Sequence, residues 1–245
     1  RTIRDLRAVL RSALSQAVLD ELIPRNVAAL VKLPAARSKK RKAWSSDEAR
    51  AFLESARADG DPMYAAYVLV LVLGLRKGEV LGLEWSGVDL DKGELVVGKQ
   101  IQRVRRQLLH RETKTEASEA TLPLPEICIA ALRQRAAEQA AMRETAMGWT
   151  ESDLVFTRVD GMPVEPRTFN RAFTARCEKA GVRVITVHDA RRTCATILAD
   201  LDVHPRVAMQ ILRHAQFAVT MEIYTQVSSE KTREALKRLG ESLGG

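Results

Sequence analysis

The chain has 245 residues, 46% apolar and 29% charged, a balance that supports a packed core and excludes disordered, collagenous and low-complexity classes. Its longest apolar run, Met63 to Leu73, is 11 residues, short of the ~20 that a membrane-spanning helix needs. The formal net charge of +8 sits entirely in residues 1–43, which hold 11 Lys/Arg against three acids, while residues 44–245 are neutral. No secretory signal is read at the N-terminus, and the opening on Arg1 predicts a piece of a longer protein. Cys128, Cys177 and Cys194 are widely spaced and odd in number, which reads as buried apolar filler in a reducing compartment.

In chain order, Ile3, Leu6, Leu10, Leu14, Ala17 and Val18 recur at helical spacing and predict an amphipathic helix over 2–22. Pro24 and Pro34 bracket an irregular stretch, followed by the basic tract Arg37-Ser38-Lys39-Lys40-Arg41-Lys42. Such a tract is either a solvated linker or a binder of a polyanion, from which lysines and arginines displace condensed counterions. A second basic segment, with Lys99, Arg103, Arg105, Arg106, Arg111 and Lys114, favours the polyanion.

Ser45 and Glu48 form a capping box that starts a helix through about Ala58. Pro62 opens a nearly all-apolar, core-buried helix to Leu73, Gly74 ends it, and Arg76 to Trp85 reads as another helical segment. Strand character then appears at 94–97, Gln100 to Leu109 and Ala120 to Leu124, predicting one small antiparallel sheet. Further helices are predicted at Pro125–Met147, Pro166–Ala180, His188–Leu201, Pro205–Leu212, Phe217–Gln226 and Ser229–Leu243. The expected fold is mainly α with a small antiparallel β-sheet (α+β).

No P-loop, GxGxxG, HExxH or GxSxG occurs, and the four histidines lack a metal-ligand spacing. Instead, polar residues stand beside apolar helices. Arg76 closes the most buried segment, with Glu79 three residues on to orient it; by itself this is equally a structural ion pair. His188 and Arg191 share one face at a helix start, a receptive place for a phosphate oxygen, although each has an ordinary reading alone. His214 lies ten residues before Tyr224. A metal-free phosphodiester transfer needs a nucleophile, cations for the pentacoordinate transition state and an acid for the leaving oxygen. Tyr224, the pair Arg76 and Arg191, the hydrogen-bonding His188 and His214, and Lys114 on a predicted hairpin could fill these roles.

These segments resemble the tyrosine recombinases, the phage-integrase family. The match is carried by Gly74-Leu75-Arg76-Lys77-Gly78-Glu79-Val80, Thr113-Lys114-Thr115 with Thr121-Leu122-Pro123-Leu124, His188-Asp189-Ala190-Arg191-Arg192-Thr193, and Leu212-Arg213-His214 ahead of Tyr224. The resemblance implies that Arg76, Lys114, His188, Arg191 and His214 gather around a scissile phosphate attacked by Tyr224, with Glu79 behind the first arginine. It implies a tyrosine-recombinase-like catalytic domain over 44–245, a basic linker over 36–43, and in 1–35 the last helix of a core-binding domain. Double-stranded DNA is the expected partner, contacted by Arg37, Lys39, Lys40, Arg41, Lys42, Arg103, Arg105 and Arg106. Other protomers would join through the helix at 229–243 into a tetramer. Neither a metal nor a cofactor is called for, and a cytoplasmic, nucleoid-associated location is expected. Three positions depart from the family's usual pattern: Arg213 replaces a common glycine, Ala190 a frequent leucine and Arg192 a frequent histidine. The alternatives are a nicking-closing enzyme like the type IB topoisomerases and a non-catalytic DNA-binding regulator.

Overall fold

A computed structural model of the chain describes residues 2–34, 43–105, 107–112, 120–213, 220, 221 and 224. The chain divides into two compact units, Arg1–Arg41 and Lys42–Gly245.

In the first unit, α1 (Thr2–Leu19) is the expected helix. The proline-bracketed stretch contains a short second helix, α2 (Val27–Leu30), too brief to show a helical period. Asn26 caps it and also donates to the Arg11 carbonyl at 2.7 Å and to Ser15 Oγ at 2.8 Å, tying it back to α1. Arg7 donates to the carbonyls of Ala28 and Ala29, where the helix end leaves acceptors unpaired. Ile3, Leu6, Val9 and Leu10 are exposed.

Near the start of the second unit, the Trp44 indole is buried among Phe52 and Phe173 at ring separations of 5.0 and 5.8 Å. The Ser45–Glu48 capping box starts α3 (Ser46–Ala58) as expected. In α4 (Tyr64–Val72) every residue but the last is buried, so it forms the centre of the core, and Pro62 lies in the turn ahead of it. The helical segment expected from Arg76 to Trp85 is instead a short α5 (Lys77–Leu81) and a separate 3-10 turn at Trp85–Gly87. The break has a steric cause: β3 (Lys99–Val104) crosses directly over Gly82, where a Cβ would come within 2.7 Å of the Gln100 backbone.

The strands form two sheets rather than the single one expected. The first contains β1 (Val88–Asp89), β2 (Glu94–Val97) and β5 (Ala120–Pro123) in antiparallel order β1-β2-β5. Leu95, Val97 and Leu122 point from it into the core. The second is a hairpin of β3 with β4 (Gln107–Glu112), in register from Lys99↔Glu112 to Val104↔Gln107. The segment Gln100–Leu109, read as one strand, therefore folds back on itself between Val104 and Gln107, and Arg105 takes a φ of 57° at the turn. The chain continues through α6 (Glu126–Thr145), α7 (Pro166–Lys179), α8 (Val187–Asp200) and α9 (Pro205–Leu212), with α6 and α8 packed on α4. Residues 220, 221 and 224 are helical, within the predicted Phe217–Gln226 helix; the predicted Ser229–Leu243 helix lies outside the described residues. Among the described residues, no helix is long and apolar enough to cross a membrane.

Candidate functional site

The site is assembled where α4 gives way to α5 and where α9 ends against α8. Gly74 makes the first turn at φ +59°, and only a residue without a Cβ fits: one would lie 2.5 Å from Leu212 Cδ2 and 3.5 Å from Cys194 Sγ. This close approach draws together three segments far apart in sequence. It leaves Arg76 as the residue preceding α5, half exposed, with the helix start beneath it.

Glu79 reaches back across the first turn of α5. Its Oε1 accepts from Arg76 Nη1 at 2.5 Å, and its Oε2 accepts the Arg76 backbone N–H at 2.8 Å. The structural ion pair foreseen at this position is thus present. Glu79 is buried, and a second cation shares it: Arg213 Nη2 donates to Oε2 at 2.6 Å. Burial opposes ionisation of this carboxyl, but the Arg213 charge and the Arg76 bonds outweigh it and hold Glu79 below the usual carboxylate range.

Arg191 extends from α8 into the same place. Its guanidinium is buried and donates Nη1 to the Gly74 carbonyl and Nη2 to the Leu212 carbonyl. Burial and the neighbouring Arg76 weaken its hold on the proton. The next carbonyl along, that of Arg213, accepts from Arg76 Nη2 at 3.2 Å. Two consecutive backbone carbonyls at the end of α9 therefore each hold one of the two predicted arginines.

His188 stands exposed in the first turn of α8. That helix start is fixed by Thr186, whose hydroxyl accepts the Asp189 N–H at 3.1 Å and donates to the Asp189 carboxylate at 2.7 Å. Desolvation, then the Arg191 charge, push the imidazole below its ordinary value against the opposing pull of Asp189, and so favour its neutral form. Tyr224 is part-buried, and its hydroxyl has no hydrogen-bond partner among the described residues. Burial, and secondarily Cys194 one turn beyond Arg191 on α8, raise the phenol.

The structure thus brings Arg76, Glu79 and Arg191 into one hydrogen-bonded cluster, with His188 within reach of its charge. Lys114, His214, Arg106 and the basic tract with Arg37, Lys39, Lys40, Arg41 and Lys42 lie outside the described residues. Arg103 is ion-paired with Glu165, and Arg105 is exposed at the hairpin turn. No group of three or more potential metal ligands occurs among the described residues. Sequence reasoning missed Arg213 as a member of the cluster. Its one signal was that a long cation stood in a turn where glycine is usual.

Fold and cluster together define a mainly helical protein in which Arg76, Arg191 and Arg213 gather where the Gly74 turn meets the end of α9. Residues 42–231 match the phage integrase family, and the chain belongs to that family. A tyrosine recombinase XerC-like protein of Caldanaerobacter subterraneus subsp. tengcongensis is 26% identical over 211 residues, covering 81% of this chain and 54% of the relative. An integrase of Streptomyces ambofaciens is 29% identical over 232 residues, covering 91% and 59%. The chain therefore spans a little over half the length of these relatives. Among solved structures, the Tn1549 transposon integrase in complex with transposon right end DNA superposes with a TM-score of 0.83 at 20% identity, covering 98% of this chain and 79% of that one. The XerA recombinase superposes with a TM-score of 0.64 at 25% identity, covering 86% and 70%.

Proposed function

We propose that this chain is the catalytic part of a site-specific DNA recombinase of the integrase type, which cleaves and rejoins strands through a 3′-phosphotyrosyl intermediate. The observation that carries the reading is the anchoring of Arg76 and Arg191 on the successive carbonyls of Arg213 and Leu212. Each guanidinium keeps N–H donors beyond those used by the protein, so the pair can take the non-bridging oxygens of one phosphate.

In this reading the Tyr224 oxygen attacks phosphorus, forming a phosphotyrosyl bond as the bond to the 5′ oxygen breaks. The phenol gives up its proton to the neutral His188 imidazole, and the departing oxygen takes one from the Lys114 ammonium. Arg76 and Arg191 neutralise the equatorial oxygens, and His188 and His214 supply hydrogen bonds. Neutral His188 can accept as well as donate, consistent with its depressed basicity. The bond energy is conserved in the adduct, so a 5′-hydroxyl from another strand reverses the step without a metal or ATP.

Double-stranded DNA as partner is supported by the Tn1549 complex, and protomer contacts by the lambda integrase dimer bound to its core site. Residues 1–35 are read as the end of a core-binding domain, the 36–43 linker as following the DNA backbone, and 229–243 as docking on a neighbouring protomer in a tetramer. Such a protein would act in the cytoplasm, at the nucleoid.

The test uses nicked suicide duplexes made from the attachment junctions of the element that encodes the chain, in the presence of EDTA. A protein–DNA adduct is expected with the parent and none with Tyr224→Phe. An adduct that persists in Tyr224→Phe overturns the nucleophile, and a parent that binds the duplex without forming one overturns the recombinase reading in favour of a regulator.

A further inference from the structure

Arg213 ends α9 at φ 51° and ψ 49°, the left-handed conformation that glycine adopts freely and a side-chain-bearing residue resists. This arginine is also 4% exposed, so the chain accepts a strained backbone and a buried charge at one residue. Among the described residues, one strong contact compensates for both. Nη2 meets Glu79 Oε2 at 2.6 Å, with the two side chains 1% and 2% exposed. Nη1 makes a long bond of 3.4 Å to the Ile211 carbonyl, and Nε has no partner among the described residues. The guanidinium is thus committed to Glu79, and Glu79 in turn holds Arg76 through both its side chain and its backbone. The loop closes when Arg76 donates to the carbonyl of Arg213 itself.

We propose that Arg213 is a positioning residue: through Glu79 it locks the Leu212–Arg213 backbone against Arg76, fixing the pose of that arginine and the point from which the chain continues to His214. The inference rests on the strand-transfer reading above for its effect on catalysis, but the lock itself is a property of the protein alone. The Arg213 side chain is spent on Glu79, so it acts through the residues it holds. A salt bridge that merely stabilised the fold would shift melting without moving the chemistry of the folded molecules. A lock on Arg76 affects the chemical step in molecules that are fully folded.

The decisive variant is Arg213→Gly, which removes the side chain while leaving the left-handed turn unstrained; Arg213→Lys retains a cation. Single-turnover adduct formation is measured on a nicked suicide duplex at saturating protein, with duplex binding and urea unfolding followed alongside. Arg213→Gly is expected to slow adduct formation about 10- to 100-fold, the scale of a displaced catalytic group, with binding changed less than about twofold. Arg213→Lys recovers part of the rate. Glu79→Gln also slows the step, and adding it to Arg213→Gly costs little more, because the two act along one path. An Arg213→Gly protein that cleaves within about twofold of the parent rate overturns the proposal, as does a loss matching only its unfolded fraction.

A second measurement reads the lock without DNA. The Nε–H resonance of Arg76, assigned with Arg76→Lys, is expected to shift and broaden in Arg213→Gly. An unmoved resonance overturns the proposal whether or not the parent cuts DNA, whereas a parent that forms no adduct overturns the strand-transfer reading alone.

Discussion

At the residue scale, the site depends on two left-handed turns solved in opposite ways. Gly74 has no side chain to accommodate and so lets Leu212, Cys194 and Arg191 close around it. Arg213 carries the longest of cationic side chains through the same backbone region and anchors it on Glu79. The left-handed conformation costs a non-glycine residue ~1–2 kcal/mol, while removing one partner from a buried ion pair costs ~3–5 kcal/mol. The buried pair thus holds the strained turn in place, since leaving either charge unpaired costs more than the strain. Gly74 has no such compensation available. Gly74→Ala adds left-handed strain to a 2.5 Å overlap with Leu212 Cδ2 and is expected to destabilise the protein by about 2–4 kcal/mol, read as a lowered urea midpoint.

At the scale of elements, the start of α8 governs the proposed reaction, because His188 and Arg191 both lie within its first turn and a half. Thr186 fixes that start with one hydroxyl that both accepts from the Asp189 N–H and donates to its carboxylate. Thr186→Ala removes both bonds; an expected loss of about 1–2 kcal/mol in urea unfolding should be accompanied by a several-fold slower cleavage step as His188 and Arg191 lose their register. The cap of α3 was legible from Ser45 and Glu48 because it uses the familiar serine and glutamate. The cap of α8 was not: an aspartate at its third position is a weaker signature, and the helix read from its residues begins one position late, at His188.

The hairpin escaped for a related reason. A two-residue turn with positive φ usually announces itself with Asn or Gly, but here the chain uses Arg105, so nothing marks a break in Gln100–Leu109. Helices with strong apolar periods and proline starts, such as α7 and α9, were visible because their signals are local. The residue types of the cluster were visible too, since a lone arginine at the end of an apolar helix demands a partner. What a sequence conceals is which distant residue answers that demand: Glu79 and Arg213 are 134 positions apart.

For the whole molecule, acid stability follows from the same carboxylate. Glu79 titrates in the folded protein below its ordinary value of 4.5. The unfolded chain therefore binds the proton more readily, and Glu79 contributes stability that is fully present above pH 4.5 and is lost as pH falls through the lower folded value. Unfolding midpoints measured downward from pH 5.5 should fall more steeply for the parent than for Glu79→Gln, which begins less stable but has no proton to gain. Parallel curves would show that other carboxylates govern the acid limb.

The way the second unit begins also has a mechanical consequence. Trp44 is sealed in the core, its backbone N–H is held by Thr193 Oγ1 at 3.0 Å and its indole by the Arg183 carbonyl at 2.7 Å. Thr193 is two residues from Arg191 on α8. The start of the second unit is thus moored to the helix that carries Arg191. A disturbance at Trp44 is therefore borne at α8, so the sealing of this indole and the aim of Arg191 share a single anchor point.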